Sequence, residues 1–152
     1  TPLASEADKG YTFKGATLLN DGLKGDGNYR SGRYMGFYSN NVDATIDLQS
    51  EQEISEAFID TYLVPGDYIF GLTGMEVYVS NDGKSFSKVA SRQIPVLEKG
   101  SKYNVPCHNT LAFDKTKARY VRIVGKCTPT LPAWHSGAGK KAFLFVDEIG
   151  VN

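Results

Sequence analysis

The clearest alternation of hydrophobic and polar residues runs from Met75 to Val89. Val77 and Val79 alternate with more polar neighbours, and the apolar pattern resumes after Asn81-Asp82-Gly83. A two-residue period is typical of a strand with one buried face, and an Asp-Gly pair favours a tight reversal of the chain. This segment is therefore predicted to form a β-hairpin.

Five further segments have the length and apolar content of strands, and each is bounded by Gly, Pro, Asn or Asp. They are Ala44–Leu48, Ile54–Leu63, Thr110–Phe113, Tyr120–Val124 and Phe143–Val151. The 16 glycines, 9 tyrosines and 8 phenylalanines also favour short strands joined by turns over long helices. The pattern predicts an all-β fold, either a sandwich or a barrel.

The length and composition fit one globular domain spanning residues 1–152, with 41% hydrophobic and 22% charged residues. The 17 basic side chains balance 17 acidic ones, so the chain lacks the broad positive field that generic binding to nucleic acid or anionic membranes needs. We therefore expect neither as a partner. Cys107 and Cys127 are too few for a structural zinc site or a disulfide framework, but one disulfide remains open.

The sequence patterns of enzymes are incomplete in this chain. Gly137-Ala138-Gly139-Lys140 lacks the upstream glycine and the following Ser or Thr of a phosphate-binding loop. Cys107 and His108 are adjacent, so in a strand their side chains point to opposite faces, and the same geometry separates Asp147 from Glu148. We therefore expect a module without catalytic activity.

Three loops combine glycine with aromatic or basic residues: Asn20–Asn41, Val64–Gly74 and Thr128–Lys141. Loops of a β-sandwich collect at the ends of its sheets, where binding sites are usually placed. Function is therefore expected on these loops.

Five segments, in this order, resemble the discoidin-like family, which includes the C-type domains of coagulation factors V and VIII. They are Leu19-Asn20-Asp21-Gly22, Ala44–Leu48, Val77–Phe86, Ala118–Ile123 and Phe145–Ile149. Within the family, the chain looks like the carbohydrate-binding modules of bacterial glycoside hydrolases. Gly32–Phe37 and Leu131–Lys140 look like the version found in chitobiase and β-N-acetylhexosaminidase-like proteins.

The resemblance implies a jelly-roll β-sandwich of the galactose-binding domain-like class, a location outside the cytoplasm, and glycan binding by loops at one end. It also implies an attached catalytic domain and, often, a structural calcium ion. Many sugar-binding members carry a Tyr-Trp pair soon after the Asp-Gly, whereas this chain has Tyr34-Met35 and its one tryptophan is Trp134. The usual sugar-binding residues of the family therefore do not transfer directly.

Sugars bind by stacking a C–H face on an aromatic ring while polar side chains bind the hydroxyls. Trp134 and His135 fit this chemistry, and Pro132 places them in a loop, although Trp134 also fits a loop anchor. Tyr68 and Phe70 are a second pair of ligand candidates, one of which is expected to lie in the core.

Arg30 and Arg33 follow a glycine-rich turn, and their planar guanidinium groups are suited to paired hydroxyls. They are the remaining ligand candidates. The alternative is that both arginines lie on a solvated loop.

Calcium binds six to eight oxygen ligands, commonly carboxylates supplemented by carbonyls of a tight loop. Asp21, Asp26 and Asn28 lie in a glycine-rich loop that can supply them. By resemblance, an acidic residue of the last strand, here Glu148, completes the site. The alternative is that Asp21-Gly22 and Asp26-Gly27 are ordinary turns.

The leading hypothesis is a carbohydrate-binding module that keeps an attached glycoside hydrolase near its glycan, of galactose or N-acetylhexosamine type. The sequence leaves the individual sugar open. The alternative is a module that docks protein, either the parent enzyme or another surface protein, because loops rich in aromatic residues and arginine suit both partners.

Overall fold

A computed structural model of the chain describes residues 35–38, 41–64, 68–95, 105–128 and 130–152. These residues form six strands: β1 Met35–Tyr38, β2 Val42–Leu63, β3 Leu72–Ser80, β4 Ser87–Gln93, β5 Val105–Cys127 and β6 Phe143–Val151. Among the described residues there is no helix long and apolar enough to cross a membrane. The strand order is β1-β6-β2-β5-β3-β4, and all neighbours are antiparallel.

The two longest strands, β2 with 22 residues and β5 with 23, pair along nearly their whole length and bend together. Their register shifts between Asp47 and Gln52 and again between Ile54 and Glu56. In this bend Gln49 has a φ of 70°, and its N–H donates to Asp47 Oδ1 at 2.8 Å. Because irregularities of this kind increase local bending and twist, the sheet folds over on itself into two layers.

The packing around Gly125 shows how closely the two layers approach. A methyl group at Gly125 would lie 2.7 Å from Val42 Cγ1 and 2.9 Å from Ile59 Cδ1. Ile59 belongs to the other half of β2, where it pairs with Asn109, so its contact with Gly125 crosses the core. Buried residues of this core come from several strands and include Phe37, Ala57, Val77, Val121 and Ile149. The predicted all-β sandwich is confirmed.

The predicted strand boundaries are correct for some elements and wrong for others. Phe143–Val151 is observed as predicted, and Met75–Val89 lies within the β3–β4 hairpin. The segments Ala44–Leu48 and Ile54–Leu63, in contrast, are parts of one strand, β2. Thr110–Phe113 and Tyr120–Val124 are likewise parts of β5. The apolar pattern stops at the bend because side chains there are mostly exposed, whereas the backbone pairing continues.

The turn between β3 and β4 is organised by one carboxylate. Asp82 Oδ1 accepts hydrogen bonds from Lys84 N at 2.8 Å, Ser85 N at 2.9 Å and Ser80 Oγ at 2.8 Å. These bonds lower the pKa of Asp82 to about 2. Gly83 has a φ of 74°, which favours glycine. A methyl group there would lie 3.2 Å from Cζ of the Tyr120 ring.

The disulfide that the sequence left open does not form. Cys107 pairs with Thr61 in the first part of β5, whereas Cys127 ends that strand opposite Leu72. Both cysteines are free thiols, and burial raises the pKa of each.

Candidate functional site

Two chain segments meet where β6 begins, at one end of the sandwich. Phe143 N donates to Tyr68 O at 2.8 Å, and Phe70 N donates to Phe143 O at 2.9 Å. Ile69 also forms a bridge with Val64, just after β2. The chain from β2 to β3 is therefore fixed to the loop that precedes β6, as expected for loops gathered at one end.

The loop of residues 130–142 is held by its own backbone hydrogen bonds. Leu131 N donates to Lys140 O at 2.8 Å, and Gly139 N donates to Leu131 O at 3.1 Å. Inside this closure, His135 N donates to Pro132 O at 3.0 Å. Since these bonds close the loop on itself, its side chains are presented on a fixed backbone.

Aromatic rings from both segments converge on this end. Phe70 is 1% exposed and packs with Leu131 and Ala142, so its ring forms a buried floor. Above it, the rings of Trp134 and His135 lie with centroids 6.1 and 5.6 Å from that of Phe70. We define the aromatic end as the half-buried rings of Tyr68, Trp134 and His135 together with this floor.

The three outer rings of the aromatic end also contact one another. Tyr68 meets His135 edge-on at a centroid distance of 5.3 Å, and Trp134 lies 5.8 Å from His135. Such contacts stabilise ring positions beyond simple burial. The result is a small aromatic surface with a phenol hydroxyl, an imidazole and an indole N–H as its polar groups.

His135 is oriented by a hydrogen bond inside the loop. Its Nδ1 accepts from Gly137 N at 2.9 Å, so the neutral imidazole carries its proton on Nε2. Gly137 is buried, and a methyl group there would lie 2.9 Å from Tyr68 Cζ and 3.0 Å from Leu131 Cδ1. Gly137 is therefore needed for the packing of Tyr68, a role that the sequence did not indicate.

The structure sorts the predicted ligand residues into two roles. Trp134 and His135 lie in one loop, and Tyr68, from the second predicted pair, joins them at one surface. Trp134 also anchors the loop, because its ring is half-buried. Phe70 does not reach the surface, so the prediction of direct ligand contact is corrected to a supporting role. Arg30 and Arg33 lie outside the described residues.

One exposed aromatic side chain near this end was missed from the sequence. Tyr38, the last residue of β1, is 41% exposed and stacks on Phe143 with a centroid distance of 4.5 Å. Lys141 Nζ lies 5.8 Å from the centre of the Tyr38 ring. The sequence shows only an aromatic residue next to Phe37, and this pattern does not indicate which of the two rings is exposed.

Of the predicted calcium ligands, only Glu148 is among the described residues; Asp21, Asp26 and Asn28 lie outside them. Glu148 pairs with Asp60 of β2, next to an irregularity in the register of β2 and β6, and its Oε2 is buried. A buried carboxylate oxygen is the type of donor that calcium binds. The described residues contain no group of three or more His, Cys, Asp or Glu side chains placed to hold a metal ion.

Asp60 and His108 form a second polar contact, on neighbouring strands. Asp60 is buried and contacts His108 Nδ1, and the His108 ring lies 5.3 Å from that of Phe58. This contact makes His108 a paired strand residue of β5.

Residues 4–144 match the model of the F5/8 type C domain family. The chain belongs to this family. The match confirms the predicted discoidin-like relationship and supports a module without catalytic activity. No curated protein matches the chain.

Solved structures share the fold of this F5/8 type C domain. CBM32-5 of GH89 from Clostridium perfringens, in complex with GalNAc-β-1,3-galactose, is 22% identical, with a TM-score of 0.59 over 99% of this chain and 91% of that chain. CBM32-3 from a family 31 glycoside hydrolase of Clostridium perfringens is 20% identical, with a TM-score of 0.60 over 98% and 86%. The CBM32 of AlyQ, in complex with 4,5-unsaturated mannuronic acid, is 16% identical, with a TM-score of 0.56 over 99% and 92%.

Proposed function

We propose that this F5/8 type C domain is a carbohydrate-binding module whose ligand site is the aromatic end. The observation that carries the proposal is the convergence of Tyr68, Trp134 and His135 on the buried ring of Phe70. A pyranose ring has apolar C–H faces and a rim of hydroxyls, so it needs an aromatic ring and hydrogen-bonding groups side by side. The aromatic end supplies both.

The rigidity of the surface favours binding of a small ligand. Trp134 and His135 lie on a loop closed by its own hydrogen bonds, and Phe70 supports them from below. Little side-chain entropy is then lost when a sugar stacks on the rings, which offsets the small area that an open site buries. We expect weak binding at each site, with useful retention coming from several modules or from linkage to an enzyme.

The sugar and the biological context form the finer part of the proposal. Solved structures of the same fold contain GalNAc-β-1,3-galactose in one case and 4,5-unsaturated mannuronic acid in another. We propose a glycan of galactose or N-acetylhexosamine type, an attached glycoside hydrolase of chitobiase or hexosaminidase type, and a location outside the cytoplasm. The module keeps that hydrolase close to its substrate.

A structural calcium ion completes the proposal, with Asp21, Asp26, Asn28 and Glu148 as its ligands. The buried oxygen of Glu148 supports this donor set. An ion that binds only the folded state raises the free energy of unfolding, and this gain grows with the logarithm of the ion concentration once that concentration exceeds the Kd. The melting temperature should therefore rise with calcium and fall with chelator, and Glu148→Gln should weaken the effect. A melting temperature that responds to neither would reject the ion.

The function is tested by calorimetric titration of the domain against galactose, N-acetylgalactosamine, N-acetylglucosamine and a panel of their oligomers. We expect saturable binding of at least one glycan, lost in Trp134→Ala. Phe86→Ala is the matched control, because it removes a half-buried aromatic ring next to the turn at the far end of β3. The absence of saturable binding to any glycan, together with loss of a complex with the parent enzyme in Trp134→Ala, would instead favour a protein-docking module.

A further inference from the structure

A groove of about 610 Å³ lies across β3 and β4, beside Lys126 near the end of β5. Its floor is the backbone at Gly74, where a methyl group would lie 3.2 Å from Arg92 O. In the sheet, Gly74 pairs with Gln93 on one side and Lys126 on the other. The missing side chain of Gly74 therefore opens the groove between those two neighbours.

Strand alternation decides which side chains line this groove. Met75 and Val77 are fully buried in the core, so Glu76 between them points outward. Ser91 pairs with Glu76, and Lys88 pairs with Tyr78, one step along the same face. The outward positions of three adjacent strands thus place polar and charged groups around the floor.

The charges around the groove do not balance. Glu76 Oε2 lies 2.5 Å from Lys88 Nζ, and Glu76 Oε1 lies 3.2 Å from Lys126 Nζ. Tyr78 OH donates to the same carboxylate at 2.9 Å. Because one carboxylate faces two ammonium groups, this cluster carries one net positive charge.

Arg92 borders the groove through its backbone and not through its charge. It pairs with the core-facing Met75, so its side chain points away from the face that carries Glu76. Its Nη1 donates to Thr110 O at 2.9 Å, in the first part of β5. The charged side chains of the groove are therefore two ammonium groups and a single carboxylate.

The positive groups are also the more accessible ones. The side chains of Lys88 and Lys126 are 48% and 51% exposed, whereas that of Glu76 is 14% exposed. The carboxylate lies beneath the two ammonium groups, so a ligand meets the cations first. Ser91 and Gln93 line the same groove and add a hydroxyl and an amide.

We propose that this groove, which we call the basic groove, is a second binding site that takes the carboxylate or sulfate group of an acidic saccharide. Its volume lies within the range of small-molecule sites. An anionic group in the groove would gain charge-assisted hydrogen bonds from Lys88 and Lys126. The site does not depend on the aromatic end.

The test is a calorimetric titration at low ionic strength with a galacturonic acid disaccharide, a sulfated disaccharide and inorganic sulfate, beside an uncharged disaccharide. The groove should bind at least one acidic saccharide, more weakly as salt is added. The carboxylated and sulfated arms identify the anionic group. Binding of inorganic sulfate alone, without either saccharide, would overturn the proposal.

Two sets of variants locate the binding. The double variant Lys88→Gln/Lys126→Gln should bind the acidic saccharide at least tenfold more weakly than the wild type. Lys115→Gln with Lys117→Gln is the matched control, because it removes the same charge from exposed lysines at the bend of β5. Equal affinities in the two double variants would overturn the proposal.

Glu76→Gln gives a test of opposite sign. It removes the carboxylate that competes for both lysines, so affinity for the acidic saccharide should rise several-fold. Unchanged or weaker binding would contradict the proposed site.

Trp134→Ala should still bind the acidic saccharide but should no longer bind the neutral glycan. Loss of both in Trp134→Ala would place the acidic ligand at the aromatic end instead, so the two proposals fail separately.

Discussion

The aromatic end and the basic groove both adjoin the beginning of β3, yet the chain builds them in different ways. The aromatic end depends on loops, with Tyr68 and Trp134 packed against the buried ring of Phe70. The basic groove depends on the pairing of strands, which sets Glu76 between two lysines above the backbone of Gly74. Burial therefore stabilises the first surface and charge organises the second, so the two should respond to different perturbations.

Removing the floor of the aromatic end should have the largest effect on stability. Phe70→Ala deletes a fully buried ring and should lower the free energy of unfolding by about 3–5 kcal/mol. Trp134→Ala should cost less, because that ring is only half-buried, although it should abolish glycan binding. Urea denaturation of both variants measures the difference. Equal losses of stability would mean that Phe70 is not the supporting residue.

The hydrogen bond within the loop gives the next largest effect. His135→Phe keeps a ring but leaves the buried Gly137 N–H without its acceptor, which should cost about 1–3 kcal/mol. His135→Asn is the matched variant, because its Oδ1 takes the place of Nδ1, and it should keep most of the stability. If Asn and Phe are equally destabilising, the bond to Gly137 does not hold the loop.

Two glycines in the same loop separate steric from conformational effects. Gly137→Ala places a methyl group 2.9 Å from Tyr68 Cζ, so it should displace that ring, cost about 1–3 kcal/mol and weaken glycan binding. Gly139 has a φ of 81° and open space around it, so Gly139→Ala should cost about 1 kcal/mol without affecting the ligand. Thermal unfolding and one glycan titration of each variant check both outcomes.

The basic groove should show its effect through pH, and the effect on stability should be small. The hydrogen bond from Lys88, with that from Tyr78, lowers the pKa of Glu76 from the usual 4.5 to about 2. The ionised carboxylate therefore stabilises the fold fully above pH 4.5, and this contribution is lost as the pH falls towards 2. Glu76→Gln should cost about 1 kcal/mol at pH 7, since the partners are half-exposed.

Urea denaturation of the wild type and Glu76→Gln between pH 7 and pH 2 measures this contribution. The difference between the two proteins should shrink as the pH falls below 4.5. A constant difference would show that the carboxylate stabilises the fold by packing alone. Asp47 and Asp82, whose pKa values are also lowered to about 2, contribute equally to both proteins.

Much of the fold followed from the sequence because local chemistry determines it. The alternation around Val77 and the Asp82-Gly83 turn gave the hairpin, and the apolar run of Phe143–Val151 gave the last strand. The bend of β2 was not predictable in the same way. It depends on a positive φ at Gln49, a residue type with no preference for that conformation, and on a register shift between distant strands.

The aromatic end was partly predictable, and the basic groove was not. Loop composition identified Tyr68, Trp134 and His135, but only the packing shows that Phe70 lies beneath them. The basic groove requires Lys126 to pair opposite Gly74, which are distant in sequence and joined only by strand register. Register of that kind is decided by the whole sheet and is not visible in either segment.

The central claim is that a glycan stacks on Trp134, and the fluorescence of this residue tests it most directly. Trp134 is the one tryptophan of the chain, so its emission reports on the aromatic end alone. Titration with the glycan that binds in calorimetry should shift or quench this emission along a saturable curve with the same Kd. Phe86→Ala should reproduce that curve. Calorimetric binding that leaves the Trp134 emission unchanged at saturation would contradict the account, because the glycan would then lie elsewhere on the domain.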